Sequence, residues 1–95
     1  MAKGYVIARG MVTNATQWAV YAAAAGKAIQ QYGGKPLARG GKTVVAEGQG
    51  RARNVVIEFD SFEAAQAYAF SPEYAAARKL REGAGELDIV VVEGA

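Results

Sequence analysis

An α+β domain with the element order β-α-β-β-α-β is what these 95 residues predict. Three observations carry the prediction. Four runs rich in β-branched and aromatic residues fall at 4–13, 36–48, 53–60 and 86–94. Helical spacing of apolar residues fills the gaps between the first and second runs and between the third and fourth. Cap and stop residues mark the borders of those two gaps.

The first run, "GYVIARGMVT", is nearly free of polar breaks and reads as a strand buried on both faces. Asn14, with Gln17 three residues later, has the spacing of a capping box and opens a helix. Trp18, Tyr21, Ala22, Ala25, Ile29 and Tyr32 give that helix one apolar stripe, and Gly33-Gly34 ends it. "PLARGGKTVVAEG" reads as a second strand over 36–48 with a bulge at Gly40-Gly41; Pro36, Arg39 and Lys42 suit a sheet edge. Gly48 and Gly50 supply a turn. "RNVVIEFD" is a third strand, with Val55, Ile57 and Phe59 on one face and Val56, Glu58 and Asp60 on the other. Ser61 caps a short helix carrying Phe62, Ala65 and Ala69. Ser71-Pro72-Glu73 restarts it, because serine accepts an orphan N–H and proline fits the first turn. Gly83 closes the helix and "ELDIVVVEG" is the last strand. This order is the ferredoxin-like pattern: a four-stranded antiparallel sheet with helices on one face, the first and third strands central and the others at the edges. One domain spans 1–95.

Composition removes several functions. The chain has no cysteine and no histidine, which excludes thiol catalysis, disulfides and the commonest metal ligand and neutral-pH base. No metal or cofactor is expected. No apolar run approaches the ~18 residues of a membrane span, and Arg9 interrupts the N-terminal apolar stretch, so a cytoplasmic location is expected. A net charge of +2 is too small to argue for nucleic acid. "PLARGGKT" ends like a phosphate-binding loop, but Pro36 stands where its first glycine is needed and a strand follows where a helix is required.

Both faces of the sheet are apolar. The first strand offers Tyr5, Ile7 and Met11 on one side and Val6, Ala8 and Val12 on the other; the last offers Leu87, Ile89 and Val91 against Val90 and Val92. Helices cover one face, so the other calls for a partner, and a homodimer through the open face is expected. Charge adds to this. Residues 35–53 hold Lys35, Arg39, Lys42, Arg51 and Arg53 against Glu47, net +4, while 82–93 hold Glu82, Glu86, Asp88 and Glu93 with no base, net −4. A two-fold partner bringing these segments together would set register.

"GYVIARGMVTN", "YGGKPLARGG", "VVIEFDSFEAAQAY" and "SPEYAAARKLREGA", in that order, resemble the bacterial domain-of-unknown-function family 1330 over nearly the whole chain. The resemblance implies a ferredoxin-like subunit of a dimeric α+β barrel and hands over no catalytic residue. Asp60 stands where the family usually has proline, and Asn14 where an acidic residue is common.

The candidate ligand-binding residues are Tyr21, Arg39, Glu58, Tyr74 and Arg78. Tyr74, Arg78 and Arg81 form a stripe at helical spacing, of which the first two are expected to face inward and Arg81 outward. Arg39 and Arg78 would anchor an anion by bidentate hydrogen bonds. Glu58, alone among Val, Ile and Phe, is either a base or the cross-strand partner of Arg9 or Arg39. Glu58 and Glu73 are the fixed carboxylates available to the arginines, and Arg78–Glu82 has the spacing of a helix ion pair. The reading that results is a small dimer binding a small anionic or aromatic metabolite between helices and sheet. The alternatives are a cofactor-free oxygenase or isomerase, in which Tyr21, Tyr74 or Glu58 would move protons, and a structural or regulatory dimer with no catalytic site.

Overall fold

Alternation along the strands decides which residues are hidden, and the sheet that results is antiparallel throughout. The computed structural model describes residues 2–95. Strands β1 (Gly4–Val12), β2 (Lys35–Arg39), β3 (Arg53–Phe59) and β4 (Gly85–Glu93) lie in the order β2-β3-β1-β4. Helices α1 (Ala15–Gln31), α2 (Phe62–Ala69) and α3 (Pro72–Lys79) complete the ferredoxin-like fold, with the second helical segment broken in two at Ser71. Among the described residues no helix is long and apolar enough to cross a membrane.

Val6, Ile57 and Phe59 point to the helices and meet Trp18, Tyr21, Ala25, Ala28 and Ile29 of α1 with Ala65, Tyr68, Tyr74 and Ala77 of α2 and α3. Close approach of α2 to β1 needs a residue without a side chain at Gly4, where a Cβ would collide with the Ser61 carbonyl oxygen. On the opposite face β1, β3 and β4 align Tyr5 with Glu58 and Val92, Ile7 with Val56 and Val90, and Arg9 with Asn54 and Asp88. Val90 and Val92 are 57% and 43% exposed, so that face is an apolar surface open to solvent in a single chain.

The caps form as the sequence implies, with one change of partner. The side chains of Asn14, Ser61 and Ser71 accept the backbone N–H groups of Gln17, Ala64 and Tyr74. The Gln17 side chain does not reach back to complete a capping box. Its Nε2 crosses to the end of α3 and donates to the carbonyls of Leu80 at 3.0 Å and Glu82 at 2.7 Å, while the Asn14 N–H donates to the Ala84 carbonyl.

The second strand is much shorter than 36–48. It ends at Arg39, and its irregularity lies between Pro36 and Ala38 rather than at Gly40-Gly41. Gly40 takes φ +65°, a left-handed conformation that turns the chain out of the strand as its N–H donates to the Asn54 carbonyl. Residues 41–50 are all exposed. An edge strand has a neighbour on one side only, and past Gly40 nothing pairs with it. The segment instead turns back across one end of the open face, where Arg9 Nη2 donates to the Gln49 carbonyl at 3.4 Å and Arg51 meets Asp88 at 3.2 Å. Part of the charge complementarity between 35–53 and 82–93 is thus satisfied inside one chain.

Candidate functional site

Two of the spaces between the helices and the sheet flank a pair of tyrosines. The first lies under α1 toward β2 and β3. It is a cleft of about 90 Å³, lined by apolar residues from α1 and the sheet with Trp18, Tyr21 and Tyr68, and Arg39 and Arg53 also line it. That is room for roughly three waters. The second is a groove of about 460 Å³ toward β4, lined by Phe62, Phe70, Leu87, Ile89 and Val91 together with Tyr74, Arg78 and Arg81. Leu87 and Ile89 form part of both.

The divider is built by α1 and α3. Tyr21 and Tyr74 are buried and their hydroxyls lie 2.9 Å apart. The rings belong to a chain of aromatic contacts that runs Trp18–Tyr21–Tyr74–Tyr68–Phe59, with centroid separations of 5.2, 6.3, 5.3 and 5.4 Å. Burial, then the hydrogen bond to Tyr74, pushes the Tyr21 phenol far above its ordinary value of 10.0, against a smaller opposing effect of Arg81. Burial does the same to Tyr68. Both stay protonated at neutral pH.

Of the five candidate residues, Tyr21 and Arg39 meet at the cleft and Tyr74 and Arg78 at the groove. Glu58 joins neither. It sits on the open face of the sheet, across from Lys35 and Tyr5 in register, and accepts a hydrogen bond from the Tyr5 hydroxyl at 3.2 Å. The pairing with Arg9 or Arg39 therefore does not form: Arg39 is on the other face and Arg9 turns to the Gln49 carbonyl. The Glu58 carboxylate raises the Tyr5 phenol above its ordinary value.

The sequence reading puts Arg78 inward and Arg81 outward; both border the groove, and Arg81 is the more buried of the two. Arg78 is exposed. Arg81, past the end of α3, folds back over the aromatic core, its guanidinium carbon 5.3 Å from the Tyr21 ring centroid and 5.9 Å from that of Trp18. Helical spacing stops applying at Leu80, the C-cap, and the hydrogen bonds of Gln17 to the carbonyls on either side set the direction of Arg81. Glu73 is not a partner of any arginine. The Tyr32 hydroxyl donates to it at 2.7 Å, which lowers its carboxyl below the ordinary 4.5 and raises the Tyr32 phenol. Among the described residues the ion pairs are Lys3–Asp60 and Arg51–Asp88, so the Arg78–Glu82 pair is not made.

Two contributors, Arg53 and Tyr68, escaped the sequence reading. Arg53 was legible, since it lies two residues before Val55 on the same strand face. Tyr68, three residues after Ala65, continues the apolar stripe of α2. Arg81 was part of the stripe that helical spacing offers, but its inward direction was not.

The family model described as a domain of unknown function, DUF1330, matches residues 3–95. No curated protein matches the sequence. The chain is similar in structure to a protein of unknown function from Rhodopseudomonas palustris, at 17% identity and a TM-score of 0.74, covering 96% of this chain and 81% of that one. It is also similar to a dimeric ferredoxin-like protein of unknown function from Thermobifida fusca, at 22% identity and 0.64, covering 99% and 91%. A candidate antibiotic biosynthesis monooxygenase from Nitrosomonas europaea is similar at 14% identity and 0.54, covering 98% and 89%. At these identities the likenesses show the fold.

Proposed function

The chain belongs to the DUF1330 family, and from that premise we propose that it acts as a homodimer, joined through the open sheet face, whose subunits each bind a small anionic or aromatic metabolite between helices and sheet. One observation carries the ligand reading. Arg39 and Arg53 both border an apolar, aromatic cleft, and neither has a carboxylate within ion-pair distance among the described residues. Arg39 is exposed and Arg53 half-buried, so water solvates them before an anion binds, and two unpaired guanidiniums at the edge of an apolar cleft offer an anion bidentate hydrogen bonds. The dimer reading draws on the exposed valines of β4 and on the dimeric state of the Thermobifida fusca protein.

Binding is favoured over base catalysis. A phenol kept protonated by burial donates a hydrogen bond at neutral pH and does not abstract a proton, and Glu58 is on the wrong side of the sheet. An oxygenase or isomerase activity draws support from fold analogy alone.

Thermal-shift screening of small aromatic and aliphatic acids tests the ligand reading. At least one acid is expected to raise the melting temperature of the wild type by a few degrees and to lose that effect with Arg39→Ala. A panel in which no acid stabilises the wild type selectively counts against it.

A further inference from the structure

A glycine in the middle of α1 is not explained by the packing of the subunit. Gly26 lies well inside the helix Ala15–Gln31, where glycine is the least favourable residue after proline. Two needs commonly place a glycine in an element: a left-handed φ, or the close approach of another group. Neither holds here. Gly26 is not one of the glycines with positive φ, and a Cβ built on it would meet nothing within 4 Å. What it borders is space. On one side is the cleft under α1. On the other is a depression of about 500 Å³ between α1 and β2, and Ala22, Gly26, Ile29 and Arg39 line both. The cleft itself exists because small residues face small residues, Ala8 of β1 on one wall and Ala22, Ala25 and Gly26 of α1 on the other. Protein interiors are otherwise close-packed. The cations gather at this boundary. Arg39 stands on it, Lys27 lines the depression and Arg53 the cleft, and the Arg53 guanidinium lies against Gly40, the residue after Arg39, where a Cβ would collide with it. Among the described residues no carboxylate lines either space, and none of the three cations is ion-paired.

We propose that Gly26 is the doorway of a site for a short aliphatic carboxylic acid, which rests its carboxylate on Arg39 at the boundary and passes its apolar tail over Gly26 into the cleft. The inference rests on the reading that the helix–sheet space receives an anion at Arg39; it adds the route, the size of the tail and the residue that sets that size. Charge decides the orientation. The carboxylate stays at the boundary with the cations, and beyond them the cleft walls Val6, Ala8, Val55 and Ile57 are hydrocarbon. Lys27 and Arg39 are exposed, so water and salt screen them and they orient the acid more than they hold it. Removing the tail from water supplies the larger share of the affinity. Volume decides the class. About 90 Å³ takes roughly three non-hydrogen atoms, whereas a cavity that holds benzene measures about 150 Å³. An isopropyl end fits that space and a phenyl ring does not.

Acetate, isovalerate and benzoate test this, with affinities taken from NMR titration of the ¹⁵N-labelled full chain. Isovalerate is expected to bind about tenfold or more tighter than acetate, and tighter than benzoate. Gly26→Leu puts a side chain in the doorway. It is expected to fold with an unchanged or higher melting temperature, because leucine favours a helix and the space beside Gly26 is open. It should bring isovalerate to within about threefold of acetate and leave acetate within about twofold of its wild-type affinity. Gly26→Ala should weaken isovalerate by a smaller factor, and it carries the test should Gly26→Leu not fold. Arg39→Ala should weaken acetate and isovalerate alike, by about fivefold or more. Unchanged affinity for isovalerate in whichever Gly26 variant folds overturns the proposal. So does benzoate binding tighter than isovalerate, or isovalerate binding no tighter than acetate; if Arg39→Ala still weakens the acid in those cases, anion binding at the cleft stands without the doorway. If none of the three acids binds, the proposal fails, and the wider panel screened by thermal shift decides separately whether metabolite binding fails with it.

Discussion

The two faces of the sheet are made of similar residues and have opposite fates. On the helix side Val6, Ile57 and Phe59 are 1–3% exposed and locked among aromatic rings. On the open side Ile7, Val56, Val90 and Val92 are just as apolar and line up in register, but among the described residues no helix lies over them, and Val90 and Val92 stay exposed while Ile7 and Val56 are half-buried. What differs is the supply of matching side chains from α1, α2 and α3. Burial on the first face stabilises the subunit, whereas on the second the same chemistry is left exposed, and it is the surface the proposed dimer would bury.

That contrast breaks most sharply at Phe59. It is 1% exposed and stacked on Tyr68, so Phe59→Ala is expected to cost about 3–5 kcal/mol, a large share of the stability of a domain this size. Chemical denaturation measures it, and a loss below about 1 kcal/mol would mean the covered face is not the one holding the subunit together. On the other face, Val90→Lys is expected to leave the fold intact, within about 0.5 kcal/mol for the isolated subunit, while changing the light-scattering mass at micromolar concentration from two chains to one. A wild type already of one-chain mass, or a Val90→Lys variant that stays two-chain, would remove the role given to the open face.

Ionisation sharpens the comparison further. The Tyr21 and Tyr68 phenols are raised in the folded chain above their ordinary 10.0. Below that pH they are neutral in both states and their contribution is fully present; above it the unfolded chain loses protons that the folded chain keeps, and stability falls as pH rises. The expected slope is about 1.4 kcal/mol per pH unit for each tyrosine above pH 10, and the double variant Tyr21→Phe/Tyr68→Phe should flatten it. The smallest effect belongs to Glu73, whose folded value lies below 4.5. Its contribution is present above that value and disappears as pH falls through the folded one, so Glu73→Gln should slightly reduce the acid sensitivity of the melting temperature. Because the group is exposed, the change should be small.

Much of the fold was legible because local signals agreed: Ser61 and Ser71 cap where serine should, and the period of two in β3 separates Ile57 and Phe59 from Val56 and Glu58 correctly. The site was legible in part. Tyr21, Arg39 and Tyr74 were singled out from spacing and chemistry, and the structure places Tyr21 and Arg39 at the cleft and Tyr74 at the groove. Glu58 was misjudged because residue type says nothing about which face a strand presents to the helices. Arg81 was misjudged because a long-range tie, Gln17 to the carbonyls flanking it, overrides the helical rule one residue past the cap. The second strand was overextended because "KTVVAEG" has strand composition, while pairing depends on a neighbour that composition cannot supply.

The segment folded over one end of the open face also limits geometry. Gln49 on Arg9 and Arg51 on Asp88 act as a doorstop: in the dimer proposed through this face, a second copy sliding along the strands would be halted before the far end of β1. Such a dimer would then be offset toward Tyr5 and Val92, and unfastening Arg51 would let that offset drift.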